Sequence, residues 1–226
     1  MSRMRRILSA PMVTVHHLNN SRSQRVLWLL EELGTPYEIV KYERDRKTKL
    51  APPELAKVHP LGKSPVITDG DTTVAESAVI LEYLDDKYGG GKLSRGDAQR
   101  RRYFMHYAEG SLMPLLVMKL VTSRMRKAPF LVRPVAKAIA GKVDSGYVKP
   151  NLDRHIEFLD RELASRPYFA GDDFSVADIQ MSYPLEALTI RGSDIPKRLT
   201  DYVKRMQERP AYKRAIDRGG PYSVMP

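Results

Sequence analysis

The chain has 226 residues and a formal net charge of +11, from 38 Lys and Arg residues against 27 Asp and Glu. It has no cysteine, which excludes disulfide bonds, thiolate metal sites and cysteine nucleophiles, and it has no apolar run near the ~18 residues of a membrane span. The length allows one or two globular domains with a substantial core.

Strand and helix patterns alternate through the first part of the chain. Residues 1–11 hold three arginines and too few apolar residues for a secretory signal, so we expect a basic extension there. The predicted elements that follow are a strand at 12–16, a helix at 22–33 closed by Gly34, a strand at 37–42, a short helix at 52–56, a hairpin of 66–68 with 72–75, and a helix at 77–88. This βαβαββα order predicts a thioredoxin-like domain over residues 12–88.

Helical patterns dominate the rest of the chain, after a linker at 89–95 that begins with three glycines. The predicted helices are 97–120, 134–163, 176–190 and 196–208. Pro114, Pro150 and Pro184 should kink or break three of them. Ser175 and Asp178 have the spacing of a capping box at the start of the third helix. We therefore predict an all-α bundle over residues 96–226.

Two features near the hairpin suggest a site for a small extended peptide. Pro65 opens a predicted strand, where proline cannot donate to the sheet, and a cis Ser64–Pro65 bond would turn the Ser64 backbone toward a ligand. Glu76 and Ser77 stand at the start of a predicted helix, which is a natural site for a carboxylate. Together they predict a holder for an extended peptide that carries a carboxylate.

These residues resemble a known family, the soluble glutathione S-transferases. The segments that carry the resemblance are 21–25, 59–65 and 75–77, and the likeness runs from about residue 12 to about residue 212. Segments 42–45 and 51–55 are similar to the serine-type, theta-like enzymes of bacteria and fungi. The resemblance implies a cytoplasmic homodimer with a role in detoxification, which uses glutathione as co-substrate and no metal.

The resemblance implies that Ser21, between the first strand and the first helix, supports the glutathione thiolate. A thiol with a pKa near ~8.5 is mostly protonated at neutral pH, and a hydroxyl donor and a helix N-terminus both favour the nucleophilic thiolate. Ser21 could instead be an ordinary N-cap, and Ser23 and Asn20 are alternative donors. Adjacent residues of a strand point to opposite faces, so we expect His16 and His17 to be structural and not part of a triad with Ser21.

The same resemblance assigns the glutathione contacts. Glu76 would hold the ammonium and Ser77 the carboxylate of the γ-glutamyl end. Ser64 would pair through its backbone with the cysteinyl part, next to Pro65, although family members usually have an apolar residue at the position of Ser64. Lys63 is either a partner of the glycyl carboxylate or a solvated side chain.

The acceptor pocket is expected between the two domains, along the first helices of the second one. Tyr103, His106, Tyr107 and Met113 lie there at roughly helical spacing. A stripe of this kind is more often core than pocket, so both interpretations stay open.

A basic run extends from Lys119 to Lys142, with seven basic residues and no acid between Glu109 and Asp144. It can be a solvated helical face, or a positive cleft that attracts anionic ligands. Contact with an anionic membrane surface is a third and less favoured interpretation. The chain has no aromatic-interleaved basic motif, so we do not expect nucleic acid as a partner.

We therefore predict a glutathione transferase that conjugates glutathione to a small electrophilic substrate. A glutathione-dependent peroxidase or reductase would use the same thiolate, and a non-catalytic binding or scaffold protein could share the fold. The joint presence of Ser21, Pro65, Glu76 and Ser77 favours the enzyme.

Overall fold

The computed structural model describes residues 12–224, so the predicted extension at 1–11 lies outside the described residues. The strands of its sheet are β1 (Val13–Leu18), β2 (Tyr37–Tyr42), β3 (Val66–Asp69) and β4 (Thr72–Ala75). Their order is β2-β1-β3-β4, with β1 parallel to β2 and β3 antiparallel to both β1 and β4. Val15 and Ile67 pair across β1 and β3 and are fully buried, so the middle of the sheet is core.

Two helices and a 3₁₀ segment complete this part of the fold. They are α1 (Ser23–Leu33), the 3₁₀ segment Pro53–Lys57 and α2 (Ser77–Gly89). Gly34 ends α1 with a φ of 68°, a left-handed conformation that glycine adopts without steric cost. The βαβαββα order is the predicted one.

Helices make up the second part of the described chain. They are α3 (Ala98–Tyr107), α4 (Met113–Met125), α5 (Arg133–Val143), α6 (Lys149–Ser165), α7 (Val176–Arg191), α8 (Lys197–Gln207) and α9 (Pro210–Gly219). The predicted fold class, a thioredoxin-like domain followed by a helical bundle, is confirmed. The domain boundaries drawn from the sequence, 12–88, 89–95 and 96–226, stay predictions.

The helical part differs from the prediction in three respects. The predicted helices at 97–120 and 134–163 are each divided by a π-helical segment, Ala108–Leu112 and Asp144–Val148. Pro114 and Pro150 lie in the first turn of the helix that follows, where a missing N–H costs nothing. Pro184 lies inside α7, which continues through it, so of the kink or break predicted there no break occurs. The last helix, α9, was not predicted.

Aromatic side chains of the second, helical part of the chain pack against helix α1. Trp28 is fully buried, and its ring lies 5.2 Å from Tyr212 of α9 and 5.6 Å from Phe174, which precedes α7. The predicted capping box begins α7, with the Ser175 N–H donating to Asp178 Oδ2 at 2.8 Å. The loop that connects β1 to α1 lies at the boundary between the sheet and the bundle, because its Arg22 contacts Glu109 and the ring of Tyr183 in the helical part.

The basic run from Lys119 to Lys142 is less uniform than the sequence suggests. Lys119 Nζ and Arg126 Nη2 both donate to the carboxylate of Asp144 at 2.9 Å, so part of the positive charge is neutralised within the chain. Several large apolar side chains of the same region are exposed, namely Phe130, Leu131, Val132, Val135 and Ile139. Within residues 12–224, the helices are all too short or too polar to cross a membrane.

Candidate active site

A cavity of about 220 Å³ opens beside the start of α2. Its lining residues are Arg22, His59, Leu61, Lys63, Ser64, Pro65, Ala75, Glu76, Ser77 and Glu109. All five residues predicted to hold the peptide ligand are among them. The cavity also includes one side chain from the helical part, Glu109, which the sequence did not indicate.

The backbone at two points shapes this cavity. The Ser64–Pro65 peptide bond is cis. Glu76, between β4 and α2, has a φ of 70°, which is uncommon for a residue other than glycine. Its side chain is exposed, whereas Ser77, the first residue of α2, is buried. A free carboxylate and a helix N-terminus thus meet at one wall of the cavity.

Ser21 lies directly behind that cavity and is 2% exposed. Its Oγ is 3.4 Å from Ser64 Oγ, which lines the cavity, and 2.7 Å from Ser23 Oγ, and it accepts the Ser23 N–H at 3.2 Å. Ser64 Oγ itself donates to the His16 carbonyl at 3.0 Å. The side chain of the alternative donor Asn20 lies toward the C-terminal segment, because its Oδ1 accepts the N–H of Ser223 and it lines a different cavity with residues 219–223. Of the two hydroxyls in residues 20–23, that of Ser21 therefore lies nearer to the cavity. Ser64 stands between it and the cavity.

The two histidines of β1 have separate surroundings. His16 bonds to Tyr42 Oη at 3.0 Å and to Thr68 Oγ1 at 3.3 Å, as expected for a structural histidine. His17 lies on the other face, and its Nδ1 is 2.8 Å from Ser23 Oγ. Burial, with a smaller contribution from Lys41, lowers the pKa of His17 to about 4, so its ring is neutral at physiological pH. His17 therefore reaches Ser21 through Ser23, a connection that the sequence analysis did not anticipate.

A cluster of two arginines and one carboxylate joins α1 to the helical part. Arg25 is 1% exposed, and its Nη2 donates to Glu109 Oε1 at 2.6 Å and to Ser77 Oγ at 3.1 Å. Arg22 Nε donates to the same Glu109 oxygen at 2.8 Å. Burial raises the pKa of the Glu109 carboxyl, but Arg25 and Arg22 outweigh it and hold that pKa below its usual range. The charge on Glu109 thus compensates a buried guanidinium that also supports Ser77.

Family models agree with this architecture. The model described as glutathione S-transferase, N-terminal domain, matches residues 10–86, and the model for the C-terminal domain matches residues 124–218. The chain belongs to the glutathione S-transferase family. The predicted family is thereby confirmed, and curated relatives named glutathione S-transferase confirm the predicted glutathione transferase function.

Three individual proteins show how far this similarity extends. Glutathione S-transferase 3 of Schizosaccharomyces pombe is 37% identical over 92% of this chain and 88% of its own length. A crystal structure of a glutathione S-transferase from Actinobacillus pleuropneumoniae has a TM-score of 0.76 at 28% identity, covering 92% of this chain and 93% of that one. The structure of a sphingomonad glutathione S-transferase complexed with glutathione has a TM-score of 0.67 at 25% identity, covering 92% and 98%.

One feature of the sequence of this glutathione S-transferase could have indicated the structural role of Glu109. Glu109 and Asp144 are the two acids that bound the long acid-free stretch. Each proves to be the shared acceptor of two basic residues, Arg22 and Arg25 for Glu109, and Lys119 and Arg126 for Asp144. An isolated acid in a basic stretch is a good candidate for a structural ion pair.

The residues predicted for the acceptor pocket are only partly brought together. Tyr103, His106 and Tyr107 line a shallow cavity whose lining residues all come from α3 and the π-helical segment after it, with none from the first domain. Met113 is 3% exposed and packs in the core. This cavity shares no lining residue with the cavity beside α2. No group of three or more side chains suited to a metal ion occurs in the part of the chain that the structure describes.

Proposed function

We propose that this chain is a serine-type glutathione transferase in which the Ser21 hydroxyl donates to the glutathione thiolate. The observation that carries the proposal is the position of Ser21 Oγ, 3.4 Å from Ser64 Oγ on the wall of the cavity that gathers Lys63, Pro65, Glu76 and Ser77. The thiolate then attacks a small electrophile. The serine acts as a hydrogen-bond donor and forms no covalent bond to the substrate.

The thiolate is the reactive form, and two features of this loop favour it. A hydroxyl hydrogen bond to a charged acceptor is stronger than one between neutral groups. The N-terminus of α1, two residues after Ser21, contributes a partial positive charge to the same place. Both effects lower the pKa of a bound thiol and raise the fraction of nucleophile at neutral pH.

The residues of the cavity wall suggest contacts for the rest of the tripeptide. Glu76 presents an exposed carboxylate for the ammonium of the γ-glutamyl end, and Ser77 presents the helix N-terminus for its carboxylate. Arg25 fixes Ser77 from behind. The Ser64 backbone would pair with the cysteinyl part, beside Pro65, and Lys63 would contact the glycyl carboxylate.

Four further assignments belong to the proposal. They are the theta-like subgroup, a homodimer, a cytoplasmic location and a role in detoxification. An acceptor pocket at Tyr103, His106 and Tyr107 would need the electrophile to approach across the face of α3, and Met113 has no part in it. A glutathione-dependent peroxidase or reductase remains the second candidate, because it would use the same thiolate.

The deciding experiment is a titration of bound glutathione in Ser21→Ala. Thiolate absorbance against pH should show the thiol pKa raised by about 1–2 units, because a hydrogen bond to a charged group contributes about 1.5–3 kcal/mol. Affinity measured by calorimetry should stay near that of the wild type, and Ser145→Ala, an exposed serine, is the control. An unchanged titration would transfer the role to Ser23 or Asn20. Turnover with electrophiles and hydroperoxides then separates transferase from peroxidase, and its absence would indicate a scaffold.

A further inference from the structure

A buried chain of hydrogen bonds leads away from the proposed thiolate site. Ser21 Oγ is 2.7 Å from Ser23 Oγ, which is 2.8 Å from His17 Nδ1. None of the three residues is more than 5% exposed. The far end, His17, lines a second cavity of about 480 Å³ together with Lys41, Tyr42 and residues 219–223.

Forming a thiolate releases a proton, and this chain of groups offers a route for it. A serine hydroxyl can pass a proton on but cannot hold a second one, whereas an imidazole can accept at one nitrogen and release from the other. His17 is the member of the chain with that property. It also lines the second cavity, where water can take the proton.

We infer that Ser21, Ser23 and His17 form a relay that carries the thiol proton of bound glutathione to water in the second cavity. This inference rests on the proposed role of Ser21. Before transfer, the thiol donates to Ser21, Ser21 donates to Ser23, Ser23 donates to His17 Nδ1, and the ring carries its hydrogen on Nε2. The thiol S–H bond then breaks, and its electron pair stays on sulfur.

Each hydroxyl gains one hydrogen and gives one up, so both serines are restored. His17 gains a hydrogen on Nδ1 and loses the one on Nε2 to a water molecule. The net change is one proton moved from sulfur to water, with no oxidation or reduction. The imidazole ends neutral, in the other tautomer.

The same transfer reverses the direction of every hydrogen bond in the chain. His17 Nδ1–H now donates to Ser23, and the Ser23 hydroxyl and N–H both donate to Ser21 Oγ, which fills both of its acceptor sites. The hydrogen of Ser21 is left for the thiolate. The low pKa of His17, caused first by burial and then by Lys41, means that the ring passes the proton on and does not store it.

The tautomer of His17 gives a direct test in the unmodified protein. Nitrogen NMR of the histidine rings should show hydrogen on Nδ1 with glutathione bound, above the pKa of the bound thiol. With S-methylglutathione, which has no thiol proton and forms no thiolate, it should show hydrogen on Nε2. The His17 signal is assigned by its loss in His17→Leu. The same tautomer with both ligands would overturn the relay.

Substitutions separate the relay from the role of Ser21. His17→Leu and Ser23→Ala each remove a hydrogen bond that turns the Ser21 hydroxyl toward the thiolate, so each should raise the bound thiol pKa by about 0.4–1 unit, the worth of an ordinary hydrogen bond. Ser23→Thr, which keeps a hydroxyl, should leave that pKa at the wild-type value. His16→Gln, the neighbour on the other face of β1, should have no effect. In a Ser21→Ala background, His17→Leu should add nothing, because the hydroxyl through which His17 influences the thiolate is then absent.

The outcomes are distinguishable. If Ser21→Ala leaves the thiol pKa unchanged, the proposed function of Ser21 fails. If Ser21→Ala raises it while Ser23→Ala and His17→Leu do not, only the relay is overturned. A His17→Leu effect that persists in the Ser21→Ala background would equally overturn it, since His17 would then act independently of the hydroxyl chain.

Discussion

Glu109→Gln tests the ion cluster beneath the proposed glutathione site. Glu109 Oε1 accepts from Arg25 Nη2 at 2.6 Å and from Arg22 Nε at 2.8 Å. The other partners of the buried Arg25 guanidinium are neutral, namely the Gln180 carbonyl and Ser77 Oγ. Glutamine keeps the shape of the side chain but leaves Arg25 with no counter-charge among these partners.

The expected loss of stability follows from the burial of each partner. Removing one member of a buried ion pair costs about 3–5 kcal/mol, because the other charge stays desolvated. The Glu109 side chain is 31% exposed and glutamine retains one acceptor, so we expect the lower end, about 3 kcal/mol. For a chain of this length that corresponds to a fall in Tm of about 6–12 °C.

Urea unfolding and thermal melts measure this difference. Asp153→Asn is the matched control, because it removes the partner of Lys149 in a pair whose side chains are 52% and 50% exposed, and such pairs contribute less than about 1 kcal/mol. A Glu109→Gln protein as stable as Asp153→Asn would refute the reasoning. It would mean that the neutral partners of Arg25, together with the field of the Glu186 carboxyl, compensate its charge.

The difference in stability between the wild type and Glu109→Gln should also depend on pH, and the structure predicts the direction of that dependence. The pKa of Glu109 is held below its usual range in the folded chain, chiefly because Arg25 and Arg22 outweigh burial. A lowered carboxyl pKa stabilises the fold above the unfolded value of ~4.3, and that contribution is lost as the pH falls through the folded value. The stability gap between wild type and Glu109→Gln should therefore be full at neutral pH and shrink in acid.

Two further outcomes are expected. Glu76→Ala and Ser77→Ala should each weaken glutathione binding by about tenfold or more in calorimetry while changing the chemical step little, and wild-type affinity in both would remove the proposed γ-glutamyl site. Replacing Lys127, Lys137 and Lys142 by glutamine spares both ion pairs of Asp144. It should lower the catalytic efficiency toward an anionic electrophile at low salt but not at 1 M salt, because the Debye length falls from about 10 Å at 0.1 M to about 3 Å at 1 M. An equal loss for a neutral electrophile would contradict a field effect.

The parts of the fold that the sequence predicted well are those with local causes. The β-branched strands, the left-handed glycine after α1 and the capping box of α7 each depend on a few neighbouring residues. The five predicted ligand-site residues also form two short local segments, 63–65 and 76–77. Their presence on one cavity wall therefore required only that β3 and β4 pair as a hairpin.

The parts that were missed depend on contacts between distant segments. Ser23 and His17 become linked only because β1 delivers His17 to the face on which α1 begins. Glu109 reaches Arg25 across 84 positions in the chain. The π-helical segment Ala108–Leu112 contains Glu109, and no local pattern of residues predicts such a segment. The periodicity of apolar residues shows which face of a helix or strand is apolar, but it does not show which distant segment that face contacts.

Pro184 was expected to kink or break its helix, and the contacts near the site explain why the helix does not break there. A proline in a helix has no N–H to bond the carbonyl four residues earlier, which in α7 belongs to Gln180. That carbonyl accepts from Arg25 Nη1 at 2.6 Å instead. The helix continues because most of α7 is buried, and packing of this extent offsets the ~3 kcal/mol that an internal proline costs. The residue marked in the sequence as a helix breaker thus leaves a backbone acceptor for the buried guanidinium that holds Ser77 and Glu109 in place.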